Sequence, residues 1–192
     1  MMDYSKILTS RVQEIKPSGI RKFFDIANEM ENVISLGVGG PDFKTPYAVR
    51  SKAIQTLEQG RTSYSANAGL ALLRREICRY LEEKYQVSYD SEHETLVTVG
   101  GSEAIDMCIR SVVEEGDEVL VVEPCFVAYA PIIELSGGKV VPVETRMENE
   151  FRLTPEALKA KITDRTKLLI FPYPNNPTGA IMRREDLEGI AQ

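Results

Sequence analysis

Residues 117–124 read DEVLVVEP, and this stretch decides the fold. Its central residues, Val119, Leu120, Val121 and Val122, are apolar without alternation, so a strand built from them presents hydrocarbon on both faces. A sheet wetted on one side alternates apolar and polar residues, whereas a strand apolar on both belongs to a mostly parallel sheet with helices above and below. The flanking sequence follows the same alternation of strand and helix. Residues 95–101 (TLVTVGG) read as a strand, and 102–116 as a helix with Ala104, Ile105, Cys108, Ile109 and Val112 along one side. Downstream come a helix over about 126–135 and a strand over 139–145 (KVVPVET). A further helix is opened by Thr154 as N-cap and Pro155 at its first position. A strand over 166–174 (TKLLIFPYP), a tight turn over 175–179 and a helix from 183 to 192 complete the series. The fold class is therefore α/β, a mostly parallel sheet flanked by helices.

The first part of the chain is different in style. Helices over 19–30, 46–60 and 70–86 surround the short apolar segment VISLGVGGPDF, and Leu70, Leu73, Ile77 and Leu81 recur at helical spacing in the last of them. They are expected to form an N-terminal helical arm and a flank of the sheet domain. A sheet of this kind usually continues past the strand over 166–174, so the chain reads as one half of such a domain.

With 192 residues, 43% of them hydrophobic and 27% charged, the chain can bury a core. A net charge of −6 excludes a groove for nucleic acid, which needs a clustered positive stripe to displace counterions. The basic pairs Arg74-Arg75 and Arg183-Arg184 read as solvated helix faces. No apolar run is long enough to span a bilayer, and the opening MMDYSKILTSRVQEIK carries charges where a signal peptide needs its apolar stretch. A cytoplasmic location, with no membrane partner, is expected. Cys78, Cys108 and Cys125 show neither an even count nor CxxC spacing, so they read as buried small apolar residues rather than as disulfides or zinc ligands. The single histidine, His93, sits in the polar stretch Ser91-Glu92-His93-Glu94 and is expected at the surface, without a metal.

Three strings carry chemistry. Val99-Gly100-Gly101-Ser102-Glu103-Ala104 joins a strand to a helix through two glycines, and the free amides of a helix start bind an anion. The same string admits two other readings: Ser102 as a plain helix cap, or Gly100-x-Ser102-x-Ala104 as the nucleophile turn of an α/β hydrolase. The hydrolase reading wants a histidine after the serine, whereas His93 precedes it. Asn175-Asn176-Pro177-Thr178-Gly179 follows an apolar strand; a plain turn uses Asn, Pro and Gly, but an asparagine there can also donate to a phenolate or carboxylate at the carboxyl edge of the sheet. Gly37-Val38-Gly39-Gly40-Pro41-Asp42 departs from the dinucleotide fingerprint, because Pro41 stands where a helix should start and Asp42 at the sixth position. Phe126 and Tyr64 are aromatics outside the core periodicity.

Taken in order, GVGGPDFKTP, Tyr64 with a glycine five residues on, VGGSEA, EPCFVAYAP and YPNNPTG resemble the class I and II aminotransferases that use pyridoxal 5'-phosphate, of fold type I. The resemblance runs over nearly the whole chain. It implies residues 1–45 as an N-terminal arm and part of the small domain, and residues 46–192 as the first part of the cofactor-binding large domain. It implies Gly101, Ser102 and Glu103 at the cofactor phosphate, with the Glu103 side chain pointing away. Phe126 would stack on the pyridine ring, and Asn176 would sit on the phenolic oxygen and near the substrate carboxylate. Gly39 and Ile20 would lie on the substrate side. Tyr64 would reach the phosphate of a partner subunit, so a homodimer with shared sites is implied. Substrates would be an amino acid and a 2-oxo acid. Where the family commonly has Gly-Glu-Pro-Asp, this sequence has Gly39-Gly40-Pro41-Asp42, which weakens any role taken from that glutamate.

No lysine follows Lys167. The resemblance therefore implies that the Schiff-base lysine, the aspartate on the pyridinium nitrogen and the carboxylate-binding arginine all lie beyond Gln192. No catalytic residue is expected in this chain, and the isolated polypeptide is expected to have no transaminase activity. The alternatives are a catalytically silent half used for dimerisation or ligand binding, and a serine hydrolase at Ser102. The Asn176–Pro177 peptide is expected to be cis.

Overall fold

The computed structural model describes residues 6–16, 19, 23, 26, 29–32, 34 and 43–192. Ile20, Gly39 and the string 37–42 lie outside the described residues, as does much of the helix expected over 19–30. Contacts divide the chain into two compact units, Met1–Ser18 with Val99–Gln192, and Gly19–Thr98.

In the first unit, β1 (Glu118–Glu123) is the central strand of a parallel three-stranded sheet, with β2 (Lys139–Glu144) on one side and β3 (Thr166–Ile170) on the other. Leu120 pairs with Val141 of β2 and Leu169 of β3. Side chains alternate along β1, so both faces are filled. Val119 and Val121 pack with Ile109 and Val113, at the end of helix α4 (Gly101–Val112), and with Tyr129 and Ile133 of helix α5 (Tyr129–Leu135). Leu120 and Val122 pack on the other face with Val143, Leu153 and Leu158, the last from helix α6 (Pro155–Lys159). Helix α7 (Arg184–Ile190) brings Ile190 to the same cluster. Here the expected α/β sheet with helices on both faces is what forms. Thr154 caps α6 as its sequence predicts, accepting from the Ala157 amide at 3.2 Å with Pro155 at the first turn.

Glu118 fastens the amino ends of all three strands. Only 3% exposed, it accepts from Thr163 Oγ1 at 2.7 Å, Lys139 Nζ at 3.1 Å and Arg165 Nη2 at 3.1 Å. The Thr163 and Lys139 hydrogen bonds hold its carboxyl below the usual glutamate range. On the far side, Arg152 grips Asp186 of α7 through both carboxylate oxygens at 2.8 Å, which lowers that carboxyl too.

Helix α1 (Ser10–Glu14) also belongs to the first unit, and its Arg11 is paired with Glu115. The second unit holds α2 (Tyr47–Glu58) and α3 (Ala71–Tyr85), within one residue or two of the predicted spans. Cys78 of α3 is buried against Thr95, 3.1 Å from its hydroxyl. Gly69, at φ +90°, lies so close to Val97 that an added Cβ would stand 2.6 Å from the valine Cβ. His93 is exposed, as expected.

Several expectations fail: the helix expected over 102–116 ends at Val112, and the strand expected over 166–174 ends at Ile170. Residues 95–101 form no strand, because a strand exists only through its ladder: the Val97 amide goes to Ala68 O at 3.1 Å and the Val99 amide to the Glu103 carboxylate. Cys108 is exposed rather than buried, and Cys125 is half-buried. On α4 the spacing Ile105, Ile109, Val113 faces the core, leaving Cys108 and Val112 to the flank. There Cys108 lines an apolar hollow of about 410 Å³ above the edge strand β3.

Candidate functional site

Phe126 and the turn carrying Asn176 follow the carboxyl ends of β1 and β3, where open α/β sheets bind ligands. The first turn of α4 is placed there by packing: Ala104 and Ile105 share the apolar hollow with Tyr129 and with Phe171 and Pro172, which follow the end of β3. Gly100 is the N-cap of α4, at φ 90° and ψ 162°, a conformation that favours glycine, and no side chain caps the helix. The amides of Gly101, Ser102 and Glu103 are therefore among the unpaired donors of a twelve-residue helix start. A Cβ placed on Gly101 meets nothing within 4 Å, so the approach is open.

Ser102 is the second residue of the helix and not its cap, which removes the plain capping reading. Its hydroxyl is exposed and forms no hydrogen bond among the described residues, so none of these is the activating base that a hydrolase would require. The Glu103 carboxylate turns back onto the Val99 amide, outside the first three amides of the helix.

Phe126 follows β1 by three residues. It is half-buried and meets Tyr129 edge-on, ring centroids 5.7 Å apart at 81°, and both rings pack against the Val119–Val121 face of the sheet. Burial, then the charge of Glu123, push the Cys125 thiol up, so it stays protonated and is a poor nucleophile at neutral pH. Burial also raises Tyr129.

The expected tight turn closes after β3. The Asn175 amide bonds Ala180 O and the Gly179 amide bonds Asn175 O, both at 2.8 Å, and Gly179 has φ +71°. The Asn176–Pro177 peptide is cis, as predicted. Asn176 is exposed at the tip, and its side-chain amide has no hydrogen bond among the described residues. Asn175 is the reverse, 6% exposed and hydrogen-bonded at both ends of its amide, with Nδ2 donating to Pro124 O at 3.0 Å. The turn carrying Asn176 and the loop carrying Phe126 are thus joined directly. Sequence reasoning missed Asn175; the signal available was an amide at a position where turn formation accepts Asp or Ser equally well.

Tyr64 lies in the other compact unit, in the loop between α2 and α3, with a relative exposure of 105%. No helix among the described residues is long and apolar enough to cross a membrane.

A parallel sheet with helices packed on both faces defines an α/β protein. Residues 31–192 match the model of the aminotransferase class I and II family, and the chain belongs to that family. It is 51% identical over 185 residues to YugH of Bacillus subtilis, covering 96% of this chain and 48% of that protein. It is 44% identical over 184 residues to the aspartate aminotransferase of Pyrococcus abyssi, covering 96% and 47%. The solved aspartate aminotransferase of Thermus thermophilus with maleate superposes with a TM-score of 0.88 at 38% identity, over 96% of this chain and 49% of that one. The chain spans about half the length of the relatives it matches.

Proposed function

We propose that this chain forms the cofactor-holding part of an aminotransferase that moves an amino group between an amino acid and a 2-oxo acid with pyridoxal 5'-phosphate. The observation that carries the reading is the pair of unengaged donor sets at one sheet edge: the α4 amides with the Ser102 hydroxyl, and the Asn176 amide. Their chemistry fits the group. A phosphate dianion suits the amides of Gly101, Ser102 and Glu103, helped by the helix dipole. A phenolic oxygen suits the Asn176 N–H, and an aromatic ring suits the face of Phe126, which Tyr129 steadies from its edge. When bound, such a cofactor supplies the electron sink for loss of the substrate α-proton. The residues of this chain would bind and orient it; none is assigned the proton transfer, and no transamination is expected from the 192-residue chain alone.

The wider reading follows the same resemblance. Residues 1–45 would be an arm and part of a small domain, and 46–192 the first part of the large domain. Gly39 and Ile20 would lie on the substrate side. In a homodimer, Tyr64 would reach the phosphate held by a second copy, and its full exposure on one chain accords with that. A cytoplasmic enzyme is the setting proposed.

Reconstitution tests the reading. The chain is co-expressed with a polypeptide carrying the second half of the Pyrococcus abyssi relative, and transfer from aspartate to 2-oxoglutarate is assayed. Activity that needs both polypeptides and falls at least about tenfold with Asn176→Ala is expected. Full activity in that variant, or in a Ser102→Ala, Asn176→Ala double variant, would count against it.

A further inference from the structure

We propose that Asn175 is a positioning residue that sets the Asn176 amide and the Phe126 ring in register, and so orients one planar ligand ring between two loops. This rests on the functional reading above. Asn175 accounts for all of its strong hydrogen-bonding capacity but one proton. Its Oδ1 accepts from the Thr178 amide at 3.1 Å and the Thr178 hydroxyl at 2.9 Å, while Nδ2 donates to Pro124 O at 3.0 Å. Its main-chain N–H and C=O are both taken inside the turn.

These partners fix which way the amide points. Turned over, it would set N–H against N–H at Thr178 and oxygen against oxygen at Pro124. An acceptor alone would close the turn, and Asp, Ser or Thr supplies one. Only a side chain that accepts on one side and donates on the other can close the turn and also hold the neighbouring loop. Pro124 is two residues before Phe126, and Asn175 is one residue before Asn176, so a single buried hydrogen bond links the two loops close to both residues. On the other flank Glu123 O is held by the Thr145 amide and hydroxyl, at 2.8 and 2.7 Å, so the loop after β1 is anchored to β2 as well. The Asn175 bond is its anchor on the β3 side.

Asn175→Asp separates the two jobs, since a carboxylate still accepts from Thr178 but repels the Pro124 carbonyl. Two measurements read the result. Hydrogen exchange follows the hydrogen-bonded amides of the two segments, Tyr129 within 125–129 and Thr178, Gly179 and Ala180 within 176–180, in the free chain. The ultraviolet band of bound 4'-deoxypyridoxine 5'-phosphate, which needs no lysine, reports ionisation of the phenol facing Asn176. In Asn175→Asp, exchange is expected to rise about tenfold in both segments, and the band to move toward that of Asn176→Ala. Thr178→Ser, which keeps the hydroxyl, should leave both unchanged. If Asn175→Asp does not fold, Asn175→Ser, too short to reach Pro124 from within the turn, takes its place with the same expectation. Faster exchange confined to 176–180, or an unshifted band at undiminished affinity, overturns the proposal. A wild-type chain that leaves the ligand unbound counts against the functional reading alone, and the exchange of 125–129 then decides the tie.

Discussion

Strand β1 and helix α2 are both rich in aliphatic residues, yet they end in opposite states. Leu120 is 0% exposed, whereas Leu57 of α2 is 66% exposed and no residue of that helix is buried. Apolar content predicts that a surface will be covered; it does not say by what. β1 has neighbours within its own unit on both edges and both faces. The apolar side chains of α2, Val49, Ile54 and Leu57, remain available to whatever packs there.

That contrast can be broken or sharpened by mutation. Leu120→Ala should have the largest effect, about 2–5 kcal/mol of stability in denaturant unfolding, because it empties space between three strands and α6. Gly69→Ala comes next. It combines an unfavourable φ with a Cβ 2.6 Å from that of Val97, and about 1–3 kcal/mol is expected from the same measurement, marking a tightly packed spot among the described residues of the helical unit.

Glu118→Gln should lower the thermal midpoint at neutral pH by a few degrees and flatten the acid limb of the stability curve. The sign follows from the direction of the shift. The folded-state carboxyl is lowered, first by Thr163 and then by Lys139, so its contribution is complete above the unfolded-state range and is lost as pH falls through the lowered value. Midpoints recorded against pH for both proteins should converge in acid. Leu57→Ala is the smallest, within about 0.5 kcal/mol for the isolated chain; a loss rivalling that of Leu120→Ala would mean that α2 is covered after all.

The same contrast explains what the sequence made legible. Strands β1 and β2 and the α6 cap were readable because their determinants are local: unbroken apolar runs, and Thr154-Pro155. Residues 95–101 read equally well as a strand but form none, since pairing is a property of the partner and the Val97 and Val99 amides find other acceptors. Cys108 was misjudged because helical spacing defines a face but not its centre; the core lies along Ile105, Ile109 and Val113. At the site, the glycine turn and the Asn-Asn-Pro-Thr-Gly turn could be located from composition alone. The division of labour between Asn175, buried and bonded, and Asn176, exposed, could not, because it depends on where Pro124 O arrives in space.

The most direct test of the central claim is a titration of the 192-residue chain with 4'-deoxypyridoxine 5'-phosphate, followed by calorimetry. Saturable one-site binding is expected, competed by inorganic phosphate and weakened about tenfold or more by Ser102→Ala and again by Asn176→Ala. No binding, or binding indifferent to both substitutions, would contradict it.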